Sequence, residues 1–426
     1  MMREWDGGRG GELRARTEEA PRQVLARPPA AAPRWNAQVS TALLARYYLP
    51  VSHSPLAGNA CELLRDGTEV YPAMLHAIRC ARRYVHLETY MFLSDAVGEL
   101  FGEALAEAAG RGVHVKVLYD AVGSWSSRSD FFESLRARGV DVRPFKPLNS
   151  LARGVRHLFR RDHRKILSVD GEVAFIGGVN IAVHWAPRGH GGECWRDDVL
   201  RVEGPAVHEL ERRFVATWRM AFQDKFRSWR EGRRLRKQLR RQPVKGIQGG
   251  VGLAVLSNRR SIHRAYLHAI SRARKSVLVA AAYFVPDRKL LGALRDAALR
   301  GVEVRLLLNA KGDHPWIMNA TRSFYEKLLT AGVRIFEWEQ CVLHSKTAVV
   351  DGAWGTIGSF NLERLSFRFN HEVNAVFTDP RLGQQMETAI RGDCERGREV
   401  HLAEFRRRPL WRKLLERVLY AFRRVI

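Results

Sequence analysis

Two stretches of the chain carry the same reactive side chains at the same spacing. The first reads HRKILSVDGEVAFIGGVN and contains His163, Lys165, Asp170 and Asn180. The second reads HSKTAVVDGAWGTIGSFN and contains His344, Lys346, Asp351 and Asn361. Both fit the pattern H-x-K-x4-D-x6-G-[GS]-x-N. An imidazole, an ammonium and a carboxamide, each presented twice, suit a phosphodiester. One neutral histidine can attack phosphorus. A second, protonated histidine can give its proton to the leaving alkoxide and then activate the incoming alcohol. Two lysines and two asparagines can hold the equatorial oxygens and stabilise transition-state charge. No carboxylate cluster suited to Mg2+ or Zn2+ accompanies the motifs, so no metal or other cofactor is expected. A lone H-x-K is commonplace in strands, but two copies with matching spacing are a strong signal.

The elements that must position these groups follow from residue parity. In a strand, His163 and Lys165 face one way and Asp170 the other. Asp-Gly followed by an apolar run signals a hairpin turn. A turn centred on Gly171-Glu172 sets His163 opposite Asn180 and Lys165 opposite Gly178. The same turn in the second copy sets His344 opposite Asn361 and Lys346 opposite Ser359. Asp170 and Asp351 point away from that face and are expected to be structural.

Repetition extends beyond the motifs. Residues 61–120 read as helix, strand YVHLETYMF, helix, strand VHVKVLYD, and residues 256–309 repeat that order. Arg111-Gly112-Val113 matches Arg300-Gly301-Val302. Such alternation predicts an α/β fold of two repeats with mostly parallel sheets. Asp120 and Asn309 end equivalent strands, where α/β folds place ligand sites. The expected division is a disordered leader over 1–40, repeats over 41–224 and 250–400, a basic linker over 225–249, and a basic amphipathic helix over 401–426.

Charge separates possible partners. The chain has 426 residues and a net charge of +26, while its hydrophobic content of 46% excludes wholesale disorder. Its longest apolar run, Val277 to Val285, is far short of the ~20 residues that cross a bilayer. Five scattered cysteines without a C-x-x-C pair argue against a disulfide framework. Residues 225–245 and 406–426 together hold +16 of the charge. In the second stretch Trp411, Leu414, Leu415, Val418, Leu419 and Phe422 fall on one helical face. A basic helix with that stripe fits either an anionic bilayer interface or a docked C-terminal helix.

The motifs resemble the duplicated HKD signature of the phospholipase D superfamily, and within it the bacterial cardiolipin synthases. The likeness runs from about Asn59 to Asp379 and includes RDHRK (161–165), WRDDVLRVEGPAV (195–207), GSFNLERLSF (358–367) and NHEVN (370–374). It implies two α/β/α repeats packed as a pseudo-dimer around one shared site. It also implies passage of a phosphatidyl group through a covalent phosphohistidine to an alcohol. In that family an acidic residue downstream of each motif hydrogen-bonds the catalytic histidine. Glu372 fits that role after His344, and Asp197 is the first-half equivalent, with adjacent Asp198 the alternative. A carboxylate on the far imidazole nitrogen fixes tautomer and orientation. By the same likeness His163 is the nucleophile and His344 the acid and base, an order the near-identity of the copies leaves open. Many cardiolipin synthases begin with two membrane-spanning helices. This sequence has none and is similar to the type without them, often called cardiolipin synthase B, which implies peripheral attachment to the cytoplasmic face of the bacterial inner membrane.

Three activities compete on these residues. The favoured one joins two phosphatidylglycerols into cardiolipin, with an anionic phospholipid membrane as partner. A hydrolytic phospholipase D would use water as acceptor. A nuclease would also suit the charge, but counterion release on nucleic acid requires no Trp-Leu-Phe stripe, so no nucleic-acid partner is expected. Loops 121–160 and 310–325 are expected to select the acceptor. His157, His184, His314 and His371 read as surface or loop histidines.

Overall fold

The computed structural model describes residues 48, 55–147, 160–222, 224–240, 246–312 and 315–409. The 1–40 leader and the 411–422 stripe lie outside the described residues. The first half supplies strands β1 (Leu56–Arg65), β2 (Tyr84–Thr89), β3 (His114–Asp120), β4 (Asp141–Phe145), β5 (Ile166–Val169), β6 (Val173–Gly177) and β7 (Asp198–Glu203). The second supplies β8 (Val251–Leu256), β9 (Ser276–Ala281), β10 (Glu303–Asn309), β11 (Arg334–Trp338), β12 (Lys346–Val350), β13 (Trp354–Gly358), β14 (Asn374–Thr378) and the short β15 (Arg398–Glu399).

The strands run in the order β15-β11-β10-β9-β12-β13-β14-β8-β1-β7-β6-β5-β2-β3-β4. Apart from β15, each half repeats the other's order outward from the central β8–β1 pair. The fold is α/β, but its pairing corrects one expectation. Only β2–β3–β4 and β9–β10–β11 are parallel, and the remaining pairs are antiparallel. Helices link β1 to β2, β2 to β3 and β3 to β4, and likewise β8 through β11. The motif hairpin and the strand after it insert between β1 and β2, and between β8 and β9, and pair antiparallel with their neighbours.

Local chemistry explains the repeat. Strands β2 and β9 are buried along their whole length, as strands covered on both faces must be. Asp95 caps the helix Ala96–Gly110 by accepting from the Val97 and Gly98 N–H groups, and Asp287 caps Arg288–Leu299 through Leu290. Both helices end where a glycine takes a left-handed conformation, Gly112 at φ 86° and Gly301 at φ 85°. These are the glycines of the matched Arg-Gly-Val triplets.

Two outer cores belong to one half each, and a third is shared. In it Ile166, Ile176 and Leu200 pack with Val255, Ile357 and Val373, so the halves are bound through apolar surface. The basic segment after the first half forms a helix, Lys225–Arg240. Its Leu235 and Leu239 are buried against Phe214 and Trp218, while Phe226 and Trp229 remain exposed.

The motif hairpins differ from the expected register. Val169 pairs with Val173 and Val350 with Trp354, so three residues cross each turn instead of two. The cause is a consecutive pair of left-handed residues: Asp170 (φ 55°) with Gly171 (φ 70°), and Asp351 (φ 55°) with Gly352 (φ 62°). The ladders slide by one, and Asn180 and Asn361 lie beyond the ends of β6 and β13, in loops instead of opposite the histidines. The Asp170 carboxylate accepts from the backbone N–H groups of Arg82, Arg83 and Tyr84, each at 2.8 Å. Asp351 accepts from those of Arg274 (3.0 Å), Lys275 (2.7 Å) and Ser276 (2.9 Å), and from the Tyr48 hydroxyl at 2.6 Å. Each aspartate thus ties its turn to the start of a central strand.

Candidate active site

The fold brings both motifs to one place by crossing the halves. The His163 N–H donates to the His371 carbonyl at 3.0 Å, and the His371 N–H to the Arg161 carbonyl at 2.9 Å. On the other side the His344 N–H donates to the Arg196 carbonyl at 2.7 Å, and the Arg196 N–H to the Val342 carbonyl at 2.9 Å. Each histidine is therefore stitched to the residue just before the other half's carboxylate. His163 Nδ1 lies 3.2 Å from Glu372 Oε2 and 3.1 Å from the Ser359 carbonyl. His344 Nδ1 lies 2.7 Å from Asp197 Oδ2. Each carboxylate stands downstream of one motif and holds the histidine of the other. With Nδ1–H donating to a carboxylate, Nε2 is left to meet substrate.

The lysines flank these rings. Lys165 Nζ donates to the His163 carbonyl at 2.7 Å and sits 5.2 Å from the centre of the Tyr90 ring. Lys346 Nζ lies 3.0 Å from His344 Nδ1 and also bonds the His344 carbonyl. Asn180 Oδ1 accepts from the Met91 N–H at 3.1 Å. Asn361 Oδ1 is buried with no hydrogen-bond partner among the described residues. Both histidines and both lysines are buried.

Apart from Ser359, other side chains at the site escaped the sequence reading. Trp185 Nε1 donates to Asp197 Oδ2 at 3.0 Å, and its ring stands edge-on to His344 at 5.1 Å between centroids. Ser366 Oγ donates to Glu372 Oε1 at 2.7 Å, and Ser359 Oγ donates to Glu372 Oε2. Tyr90 stands edge-on to His163 at 5.1 Å. A signal for two of them was present, since Trp185 and Ser366 each fall five residues after a motif asparagine. Asp198, the alternative to Asp197, instead accepts from Ser345 Oγ at 2.6 Å and from Arg196 at 2.7 Å. Asp120 accepts from the Asp162 N–H at 2.8 Å and Asn309 from the Leu343 N–H at 2.6 Å. These strand-end residues hold the backbone just before each histidine.

The supposed surface histidines are more enclosed than expected. His184 is half-buried and edge-on to Trp195 at 4.9 Å, and His371 is half-buried against Phe145 at 5.6 Å. The crossing of the halves encloses His371, whereas His184 is covered by Trp185 and Trp195 of its own half. His157, His314 and parts of both acceptor loops lie outside the described residues. Among the described residues no three His, Cys, Asp or Glu side chains are grouped to hold a metal ion.

Electrostatics divide the site. Burial, and then the Lys165 charge, hold the His163 imidazole below the usual histidine range despite Glu372. The ring is neutral at pH 7 and able to attack. Burial and the facing Lys346 charge bring Lys165 down to about 7. Burial raises the Asp197 carboxyl to about 6, against the opposing pull of Lys346, the Asp198 N–H and Trp185. Burial also pushes Glu372 upward, but the His163 pairing, Ser359 and Lys165 hold it below the ordinary value.

The sequence matches the family described as cardiolipin synthase, phospholipase D-like domain, twice, over residues 74–218 and 266–394. The cardiolipin synthase of Listeria innocua is 33% identical over 365 residues, covering 84% of this chain and 74% of that protein. The major cardiolipin synthase of Bacillus subtilis is 32% identical over 365 residues, with the same coverage. The phosphatidylserine synthase of Haemophilus influenzae has a similar fold, with a TM-score of 0.68 at 14% identity over 91% of this chain and 97% of that one.

Proposed function

The chain belongs to the cardiolipin synthase-like branch of the phospholipase D superfamily and is a phosphatidyltransferase; from that premise we propose that it joins two phosphatidylglycerols into cardiolipin and releases glycerol. One observation carries the reading: two buried histidines, one from each half, have Nδ1 against the opposite half's carboxylate and a lysine alongside. His163 Nε2 attacks phosphorus, the bond to the glycerol oxygen breaks, and His344 protonates the departing alkoxide. The second phosphatidylglycerol gives its hydroxyl proton to His344, its oxygen attacks phosphorus, and the bond to His163 breaks. Lys165, Lys346, Asn180 and Asn361 hold the equatorial oxygens through both steps. The neutral state of His163 supports its role as nucleophile, and the short His344–Asp197 bond supports a site where an imidazolium forms.

Attachment to the membrane is peripheral in this reading. No helix among the described residues is long and apolar enough to cross a bilayer. The basic segment 406–426 is proposed to grip anionic lipid on the cytoplasmic face of a bacterial inner membrane. Removing it should reduce sedimentation with anionic vesicles, and unchanged binding refutes that role. The central test incubates the purified chain with phosphatidylglycerol vesicles and identifies the products by mass spectrometry. Cardiolipin and glycerol in equal amounts are expected. Phosphatidic acid alone would make the protein a hydrolase, and cleavage of plasmid in place of lipid would make it a nuclease.

A further inference from the structure

The two sides of the mouth carry different charge, although the fold repeats. Around His371, whose carbonyl accepts from the His163 N–H, stand Lys146, just past β4, and Arg259, at the start of the helix Arg259–Arg272, with Arg160, just before the motif, close to both. Arg161 Nη2 donates to the carbonyls of Phe145 at 3.1 Å and Lys146 at 3.3 Å, fixing Lys146 and Arg160 near each other. Leu256, three residues before Arg259, pairs with Asn374, two residues after Glu372. Arg259 Nη1 is buried with no hydrogen-bond partner among the described residues. None of the three cations has a salt bridge to a described carboxylate within 4 Å. Of the nearby carboxylates, Asp120 is engaged by Arg161 and Glu372 by His163 and two serines, while Asp162 is fully buried with its Oδ1 facing the Arg164 N–H. The segment 147–159, which joins Lys146 to Arg160, contains no Asp or Glu.

The equivalent positions around His344 show that the fold does not require this charge. Phe145 pairs with Asp120 as Trp338 pairs with Asn309, so Lys146 corresponds to Glu339. The offset of the motifs makes Arg160 correspond to Cys341. The shared run Leu-His-Ala-Ile at 75–78 and 267–270 makes Arg259 correspond to Gly67. Glu339 is paired with Arg398 at 2.9 Å. A Cβ on Gly67 would stand 2.3 Å from the Trp185 carbonyl oxygen, so no long side chain fits there. His371, among the three cations, is held to about 4 by burial and by Arg164, Lys146 and Arg259, so it is uncharged at neutral pH and neither adds to nor offsets them.

We propose that Lys146, Arg160 and Arg259 form a second anion subsite, beside the reacting phosphate, which takes the phosphate of the acceptor lipid's own headgroup. This rests on the transferase reading and adds a basis for choosing an anionic acceptor over a neutral one. The acceptor's phosphate lies across the mouth while the hydroxyl at the far end of its three-carbon headgroup reaches His344. Charge-assisted contacts to phosphate give such a subsite its preference.

The test compares the intact chain with the double variant Lys146→Gln/Arg259→Gln in phosphatidylglycerol micelles containing labelled glycerol. Cardiolipin reports the anionic acceptor, and label exchanged into phosphatidylglycerol reports the neutral one. The ratio of the two rates should fall about tenfold, the effect of roughly one lost charge-assisted contact. Arg259→Lys should recover part of it. An unchanged ratio, including an equal loss on both acceptors, overturns the proposal. Calorimetry with glycerol phosphate provides a reading independent of catalysis. The intact chain should show two saturable sites and the double variant one; equal stoichiometry overturns the subsite even if cardiolipin forms. Loss of a site in the variant, with phosphatidic acid as the only product, would refute the transferase reading but leave the anion subsite standing. A subsite for free phosphate would bind inorganic phosphate as tightly as glycerol phosphate and leave the acceptor ratio untouched.

Discussion

The two half-sites hold the same imidazole nitrogen with different parts. Around His344 the carboxylate is the short Asp197, its supporting donor is the large Trp185, and the motif residue beside it is Gly178. Around His163 the carboxylate is the longer Glu372, supported by the small donors Ser366 and Ser359. Trp185 corresponds to Ser366 and Gly178 to Ser359, so long and short side chains have been exchanged within one frame. A Cβ on Gly178 would stand 2.2 Å from Asp197 Oδ1, which explains why the first copy has glycine where the second has serine. The consequence is electrostatic. Glu372, with two hydroxyl donors and His163, stays below its ordinary range, whereas Asp197 rises to about 6. A fixed anion beside a neutral ring suits a nucleophile. A carboxyl raised toward neutrality and hydrogen-bonded to its histidine suits proton transfer.

That contrast can be broken by substitution. Asp197→Asn should lower kcat by about 10^3–10^4-fold, because His344 loses the acceptor that orients it. Glu372→Gln should cost less, about 10–100-fold, because the Ser359 carbonyl still lies 3.1 Å from His163 Nδ1. Equal losses would remove the functional distinction between the halves. Gly178→Ala should follow, with kcat down about 100-fold as Asp197 is displaced, whereas Ser359→Ala removes one hydrogen bond and should cost about tenfold. Steady-state kinetics on phosphatidylglycerol micelles measure all four.

How far the sequence disclosed the site follows from which contacts are local. The histidines, lysines and asparagines were legible because a repeated motif marks them, and the α/β repeat because helix and strand signals recur in order. The hairpin register was not, since an aspartate in a left-handed conformation adds a residue to the turn and the Asp-Gly pair alone does not announce it. The antiparallel share of the sheet was hidden because β5, β6 and β7 insert between the helix-linked β1 and β2, and β12, β13 and β14 between β8 and β9, which the order of elements along the chain does not show. Carboxylate pairing across the halves depends on contacts between residues 147 and 209 positions apart, which no local pattern encodes. Trp185 and Ser366 differ so much in type that their shared offset acquires meaning only once both donate to a carboxylate.

Two smaller effects sharpen the comparison. Lys165 is held to about 7, so it loses its proton as pH rises and activity should decline above that value. On the acid side, His163 gains a proton only below the usual histidine range and Asp197 gains one below about 6. The kcat/KM profile should therefore be a bell falling below about 6 and above about 7. Lys165→Arg should move its basic limb to higher pH, because guanidinium does not titrate there; an unmoved limb would assign it elsewhere. Smallest are the turn anchors, where Asp170→Asn and Asp351→Asn should each lower stability by about 1–3 kcal/mol in denaturant unfolding. The loss should be greater at Asp351, which also holds the Tyr48 hydroxyl.

The assignment of different tasks to the two histidines is tested most directly by trapping the covalent intermediate. His344→Ala is mixed with a phosphatidyl donor whose leaving group, a nitrophenolate, needs no proton, and the digested protein is examined by mass spectrometry. A phosphatidyl group should be found on the peptide containing His163, and none should form on His163→Ala under the same conditions. An adduct on His344 in the His163→Ala protein, with none on His163 in the other, would contradict the account.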